Sequence, residues 1–319
     1  MKHLMIAAAL TASGLATSAT AQNVGIATSN PGSIFHNIGT AVASAANKAG
    51  INATIQPATS PNQYIPFVNS GGVQFGVANL QEVNYAYEGK EWFEGQPNSD
   101  LRIVATIMPL VEAIFVRADS DIMTVADLKG RPMVDGYTAQ NTILPQLDAI
   151  YSTAGLSRAD MEPVNVPSVV GGADAFIQGQ ADGFIFGHGA GKVREADAAV
   201  GGLRALSVEP TDENLAKARE HWPAAFFYEL KAGSMPGVEE DAWYFAYPQV
   251  VFANANVSDE EAYAMAKAIY EQTETLKSTF PGFNSFDPAH IADDTGVTPY
   301  HPGALKFFEE QGLPAEANG

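Results

Sequence analysis

Cysteine is absent from all 319 residues. That excludes disulfides, thiol catalysis and thiolate metal sites, so stability must come from a buried core. Positive charge is scarce as well. Seventeen Lys and Arg stand against 36 Asp and Glu, a formal charge of −19. Such an excess repels nucleic acid and anionic lipid, although a local site can oppose the global charge. After the first residues, no apolar run approaches the roughly 20 residues needed to cross a bilayer. The six His occupy positions 3, 36, 188, 221, 290 and 301, and none has a second His or a carboxylate at a zinc-binding spacing. There is no G-x-S-x-G elbow, no P-loop and no G-x-G-x-x-G after a strand. The run Gly187-His188-Gly189-Ala190-Gly191 is glycine-rich but lacks the dinucleotide-binding spacing. These absences argue against an enzyme, and no metal or cofactor is expected.

What is present starts with the first 21 residues. Lys2 and His3 precede an apolar run from Leu4 to Leu10, which continues through small residues to Ala16. Ala19-Thr20-Ala21 is a small-x-small cleavage pattern, so a secretory signal cut after Ala21 is expected. Loss of Lys2 takes the formal charge one lower, to −20. The remaining chain, roughly 300 residues, is long enough for two lobes with cores of their own. Hydrophobic residues make up 46% of the whole, enough to fill them.

Strand and helix signals alternate. Val24–Ala27 reads as a strand, and Ser29 to Gly39 as a polar, Gly-containing turn into a small-residue helix ending near Ala49. Asn52–Pro57 and Val73–Ala78 read as strands, with a helix at about Gln63–Asn69 between them. A helix follows at Glu82–Glu88, then a strand at Leu101–Met108. Such alternation implies a mostly parallel sheet. A second unit repeats the design: strand Ala113–Val116, short helix Thr124–Leu128, strand Met133–Val134, polar turn 135–142, and a helix to about Ala154. Strands are expected at Val164–Val166, Gly183–Phe186, Leu203–Val208 and Tyr247–Ala253, and a short helix at Gly172–Gln178. Residues 209–241 read as loop with a short helix. Ser258-Asp259-Glu260-Glu261 opens a helix with a Ser cap and acids in its first turn. A last helix begins after His301-Pro302.

Four stretches carry a family likeness. The tail Tyr300-His301-Pro302-Gly303-Ala304-Leu305-Lys306-Phe307-Phe308 is the most specific. Asp127-Leu128-Lys129-Gly130-Arg131, the run Phe75 to Gly89 with Ala86-Tyr87-Glu88-Gly89, and the opening turn with Phe35 support it. On these the chain resembles the TAXI group of solute receptors that serve TRAP transporters, across essentially its whole mature length. It departs from the pattern at His36 and Asn37, where an aromatic and a Pro are usual. It departs again at Ala139-Gln140-Asn141-Thr142, where Gly-Ser-Gly-Thr is common.

The resemblance implies an α/β fold of the two-lobed, type II periplasmic-binding-protein (Venus flytrap) kind. Lobe I would take residues 22–112, lobe II 113–255, and the C-terminal helices of 256–319 would return to lobe I. A hinge is expected near Pro109 to Ala113. The implied partners are a small organic anion or amino acid, glutamate-like or 2-oxo-dicarboxylate-like, and the membrane-embedded TRAP permease subunits. The implied setting is the periplasm and the expected state a monomer, with no nucleic acid bound. The alternatives are a receptor of the same fold for an ABC importer or a sensor, and a periplasmic enzyme.

Helix N-termini present free N–H groups and partial positive charge, which suit a carboxylate. Ser29, Gly32, Ser33, Phe35 and His36 are the candidate contacts from the opening turn, and Tyr137, Thr138, Asn141 and Thr142 from its counterpart. Asn79 and Gln81 follow a buried strand and should point into the crevice at its C-terminal end, with Glu82 turned to water. Tyr64 and His188 complete the candidate set. Glu112 and Arg117 flank the expected hinge, Arg117 in a surface salt bridge, and His301 is expected to fix the tail turn.

Overall fold

A computed structural model describes residues 23–313 and residue 315. The expected secretory signal and its cleavage point lie outside the described residues. The first half runs β1 (Asn23–Thr28), α1 (Ile34–Lys48), β2 (Asn52–Pro57), α2 (Pro61–Asn69), β3 (Phe75–Asn79), α3 (Leu80–Glu88) and β4 (Leu101–Arg117). Then come β5 (Pro132–Tyr137), α4 (Leu144–Thr153), β6 (Glu162–Val166), α5 (Val169–Ile177), β7 (Gly183–Gly187), α6 (Gly191–Val200) and β8 (Leu203–Leu206). The rest is α7 (Asp212–His221), β9 (Phe226–Leu230), β10 (Ala242–Asn254), α8 (Asp259–Glu271), α9 (Thr273–Thr279) and α10 (Pro302–Gln311).

The strands form one mixed sheet in the order β2-β1-β3-β10-β4-β7-β5-β6, with β8 against β4 and β9 against β10. β1 pairs parallel with β2 and β3, and β5 pairs parallel with β6 and β7. Between these two parallel groups run β10 and β4, antiparallel to each other. The first part of β4 lies against β10, and its last residues, Glu112 to Val116, lie against β7. Because β7 is antiparallel to β4 and β10 is antiparallel to β3, the C-terminal ends of both parallel groups point at the middle of β4. Two helix-covered halves therefore share two long strands, a two-lobed α/β arrangement.

Two sequence expectations change here. Leu101–Met108 and Ala113–Val116 are not separate strands but one, β4, so the expected boundary between residues 112 and 113 falls inside a strand. The intervening Pro109 does not end it. It sits directly opposite Pro248 of β10, where neither residue has an N–H to offer the ladder, and the register shifts just beyond, between Pro248 and Val250. Residues 209–241 hold more order than loop with a short helix, for α7 packs on α4 and β9 extends the sheet beside β10.

Packing explains the local sequence. Ile34, Ile38, Ala41, Val42 and Ala45 of α1 lie buried at helical spacing. Gly39 lets that helix press on β1, since a Cβ there would meet Thr28 Cγ2 at 2.2 Å. In the C-terminal region α8 and α9 pack on α1, and α10 packs on α8. His301 caps α10: its Nδ1 accepts from the Gly303 N–H at 3.2 Å, and Nε2 lies 3.0 Å from the Val257 carbonyl. Gly303 sits against the start of α8, where a Cβ would approach the Asp259 carbonyl oxygen to 2.1 Å. That atom is backbone and cannot rotate away. A Gly303→Ala variant should therefore lose about 3 kcal/mol of stability, measured by urea denaturation; unchanged stability would refute this tight helix contact.

Candidate functional site

The strand ends meet at a small inner cavity of about 20 Å³, room for roughly one water. Ser33, Ile34 and Phe35 of the α1 start and Asn79 and Glu82 around the α3 start line one side. Gln140, Thr142, Ile143, Gln146 and Val169 line the other, together with Phe186 and Gly187 at the end of β7. Leu110 and Glu112 of β4 and Tyr247 of β10 form the floor. Leu110 and Glu112 point inward because alternate strand residues share a face. The intervening Val111 lines a separate surface groove of about 270 Å³, with Met108, His188 and Tyr228.

Local chemistry fixes each wall. Gly32 takes a positive φ of 91°, and Ser33 then caps α1 by accepting from the His36 N–H at 3.2 Å. The next N–H groups, of Ile34 and Phe35, belong to a first helical turn that has no intrahelical acceptor for them. Asn79 caps α3 in the same way, accepting from the Glu82 N–H at 2.7 Å, and its amide donates to the Glu82 carboxyl. Opposite, Gln140 Oε1 accepts from the Val169 N–H at 3.0 Å and so ties the turn after β5 to the start of α5.

The two sides are joined across the cleft. Ser60 Oγ donates to the Ala139 carbonyl at 3.3 Å, and Asn62 Nδ2 lies 3.5 Å from Asn141 Oδ1. The Ala224 N–H donates to Gln81 Oε1 at 3.1 Å. With a cavity of one water's size, these bonds mark a closed form.

The site is electrically one-sided. Among the described residues, no Lys, Arg or His lines the cavity, while Glu82 and Glu112 do. Burial pushes the Glu82 carboxyl up to about 8, against the lowering effect of Thr142 and Asn79. Burial also pushes Glu112 up to about 8; the Tyr247 hydroxyl, which donates to it at 3.1 Å, pulls it down, and the Glu82 charge pushes it further up. Gln146 is 1% exposed, and its Oε1 has no hydrogen-bond partner.

Of the residues singled out from sequence, Ser33, Phe35, Asn79 and Thr142 line this cavity. Ser29, Gly32 and His36 flank it without lining it. Gln81 and Asn141 make the cross-cleft bonds instead. Tyr64 is buried and donates to the Val77 carbonyl at 2.6 Å. Tyr137 is buried under α5, near Gly172, and Thr138 is exposed beside the Val166 carbonyl. His188 packs between Phe115 and Tyr244 on the opposite face of β4, where burial lowers its pKa to about 4. Arg117 pairs with Asp119 at the surface.

The expectation that Glu82 turns to water is wrong: it is 1% exposed. The Asn79 cap rotates the first turn of α3 so that Glu82 points at the cleft. Sequence reasoning also missed the lining role of Gln140, Gln146, Tyr247 and Glu112. A signal existed for Glu112, an acid inside the apolar run Leu110-Val111-Glu112-Ala113-Ile114. An ionisable group placed there has to be paired or functional.

Residues 26–312 match the NMT1-like family. The chain belongs to that family. Among solved structures, this NMT1-like chain is similar to PhnD1 from Prochlorococcus marinus MIT 9301 in complex with methylphosphonate. The identity is 7%, 92% of this chain and 100% of that one are covered, and the TM-score is 0.53. It is also similar to the periplasmic aliphatic sulphonate binding protein SsuA from Escherichia coli, with 17% identity, 94% and 96% coverage and a TM-score of 0.49. A TctC solute binding protein from Polaromonas matches at 13% identity, with 83% and 90% coverage and a TM-score of 0.49. At 7% identity the likeness to PhnD1 is one of fold alone, a two-lobed α/β architecture.

Proposed function

We propose that this NMT1-like chain is a periplasmic solute-binding receptor. It closes two lobes over a small organic acid or amino acid and presents that solute to membrane subunits of a transporter. Lobe I takes the segment up to about residue 112 with the C-terminal helices after about 256, lobe II takes the segment between, and the two share the long strands β4 and β10. The observation that carries the proposal is the inner cavity. It lies where the C-terminal ends of two parallel strand groups meet, the location open α/β sheets use for ligands. Residues of both halves line it, and hydrogen bonds close it over. The Ile34 and Phe35 N–H groups at the start of α1 can hold a carboxylate without an Arg. Opening enlarges the space, and a solute that binds the closed form better draws the lobes together. No covalent step is needed, and the solute leaves unchanged.

The His301-to-Phe308 tail and the likeness it carries favour a TRAP permease as recipient. A receptor of the same fold for an ABC importer is the second candidate. A gene for a multi-spanning permease beside the receptor gene, with no ATPase gene, is the expected arrangement for the first. The direct test is native mass spectrometry of protein purified from cells, followed by melting measurements with carboxylates and amino acids. A retained solute is expected, and the melting point should climb with solute concentration. If only sugars or metal ions shift it, the organic-acid receptor is the wrong assignment.

A further inference from the structure

On the face of β4 turned away from the inner cavity lies the surface groove of about 270 Å³ lined by Met108, Val111, His188 and Tyr228. Its size is close to the roughly 300 Å³ at which small-molecule sites begin. Both proposed lobes supply its walls. Gly189 and Arg194 follow β7 on one side, and Pro281, Gly282 and Ser285 of the C-terminal region stand on the other. Most of the lining is apolar. Of its two cations, Lys231 is already paired, with Glu229 at 2.6 Å and Asp241 at 3.0 Å. Arg194 is exposed at the groove and free. Each of the other described arginines donates to a carbonyl or a carboxylate, whereas Arg194 makes no hydrogen bond or ion pair. His188 in the wall is 3% exposed, and its Nε2 also lacks a partner.

An unpaired guanidinium beside an apolar groove matches an anionic head on an apolar body. We propose that this groove is a second binding site, for a small amphipathic organic anion of the medium-chain carboxylate kind, and that filling it favours the closed form. The guanidinium offers paired N–H donors in the geometry a carboxylate accepts. Charge also sets the direction of the ligand. The groove continues past Pro109, Tyr228 and Ser285 into a wider one of about 580 Å³ lined by Asp287, Asp293 and Asp294. Those acids repel an anion from that end. The head therefore sits at Arg194, and the body runs along Met108 and Met235 toward Tyr228.

The site lies outside the solute cleft yet spans the same two halves. Lobes that pivot about β4 and β10 separate on one face as they approach on the other. Closure over the inner cavity therefore widens the far groove, and opening of the cleft narrows it. A ligand seated in the groove binds the closed form better and draws the population toward it. The coupling is reciprocal, so solute in the inner cavity tightens the far site by the same factor. The coupling rests on the receptor assignment; the site itself does not.

The test uses octanoate, 1-octanol and octylammonium, which share a tail and differ in the head. Calorimetry on the unaltered protein should show octanoate binding at least tenfold more tightly than either of the others. Arg194→Gln should weaken octanoate binding at least tenfold without moving the urea midpoint, since the side chain is exposed and holds nothing in place. No octanoate binding, or equal binding of all three, overturns the anion site. Full octanoate binding by Arg194→Gln places the ligand elsewhere, in the inner cavity or on the surface, and overturns it too. Small-angle scattering should show the protein contract as octanoate is added. An unchanged radius of gyration with octanoate bound overturns the coupling to closure. The receptor assignment stands or falls separately, on the retained solute and its melting shifts.

Discussion

A Gly187→Val variant should fold and melt much as the parent protein does without solute, yet bind solute at least a hundredfold more weakly. Gly187 ends β7 in one half, and its nearest neighbour across the cleft is Ile34 at the start of α1. A Cβ at 187 would lie 2.7 Å from Ile34 Cδ1 and 3.2 Å from Leu110 Cδ2. The first contact is made across the cleft, so separation of the proposed lobes would relieve it. Two further methyl groups in a cavity of about 20 Å³ leave no room for closure. A hundredfold loss corresponds to about 2.7 kcal/mol, within the usual cost of overpacking a tight site. Gly187→Ala should cost much less, because the end of the Ile34 side chain can rotate. Calorimetry gives the affinity, and small-angle scattering reports whether the lobes still contract. Parent-like binding by the Val variant would show that closure does not bring Gly187 and Ile34 together.

The second large effect is on pH. Glu82 and Glu112 are held up near 8, and the Asp135 carboxyl is pushed up to about 7 by burial, with Arg158 pulling it down and Asp148 pushing it up. Both Asp135 oxygens lack a hydrogen-bond partner, and the Arg158 guanidinium is 4.0 Å away. All three are carboxyls whose folded pKa exceeds the unfolded one. The folded protein therefore binds more protons than the unfolded chain between about pH 4 and 8. Their stabilising contribution is complete below about pH 4 and disappears as pH rises through 7 to 8. The solute-free protein should melt at a lower temperature at pH 8.5 than at pH 5, with a difference on the order of a few kcal/mol. A Glu112→Gln/Asp135→Asn double variant should flatten that slope and raise the melting point at pH 8.5. The comparison matters because the large net negative charge also grows with pH. An equal slope in the double variant would exclude Glu112 and Asp135 as its source.

Much of the frame was legible from residues alone. Since fully buried parallel strands leave short apolar runs between polar turns, alternating strand and helix signals located most elements, though not α6, β9 or α9. Ser33, Ser258 and His301 were readable as helix starts or turn-fixing residues. The failures share a cause: they depend on which way a side chain turns. Glu82 looked like an ordinary surface acid on a short helix, and only the Asn79 cap sets the rotation that buries it. Gln81, one residue earlier, points away to meet Ala224. Asn141 and Thr142 are neighbours in sequence, yet one reaches Asn62 across the cleft and the other lines the cavity. Gln146 and Tyr247 join the site through tertiary placement of α4 and β10. Local pattern carries no trace of that.

The position of β10 in the sheet has a consequence for how the protein is made. β10 lies between β3 and β4, so the sheet of the first lobe stays split until residues 242–254 are in place. The missing strand comes from more than a hundred residues downstream of β4. Folding must close that long loop before the first half gains its central pairing, which places this chain among slow, topology-limited folders. A chain cut short before Ala242 should therefore leave the sheet of the first half unpaired between β3 and β4.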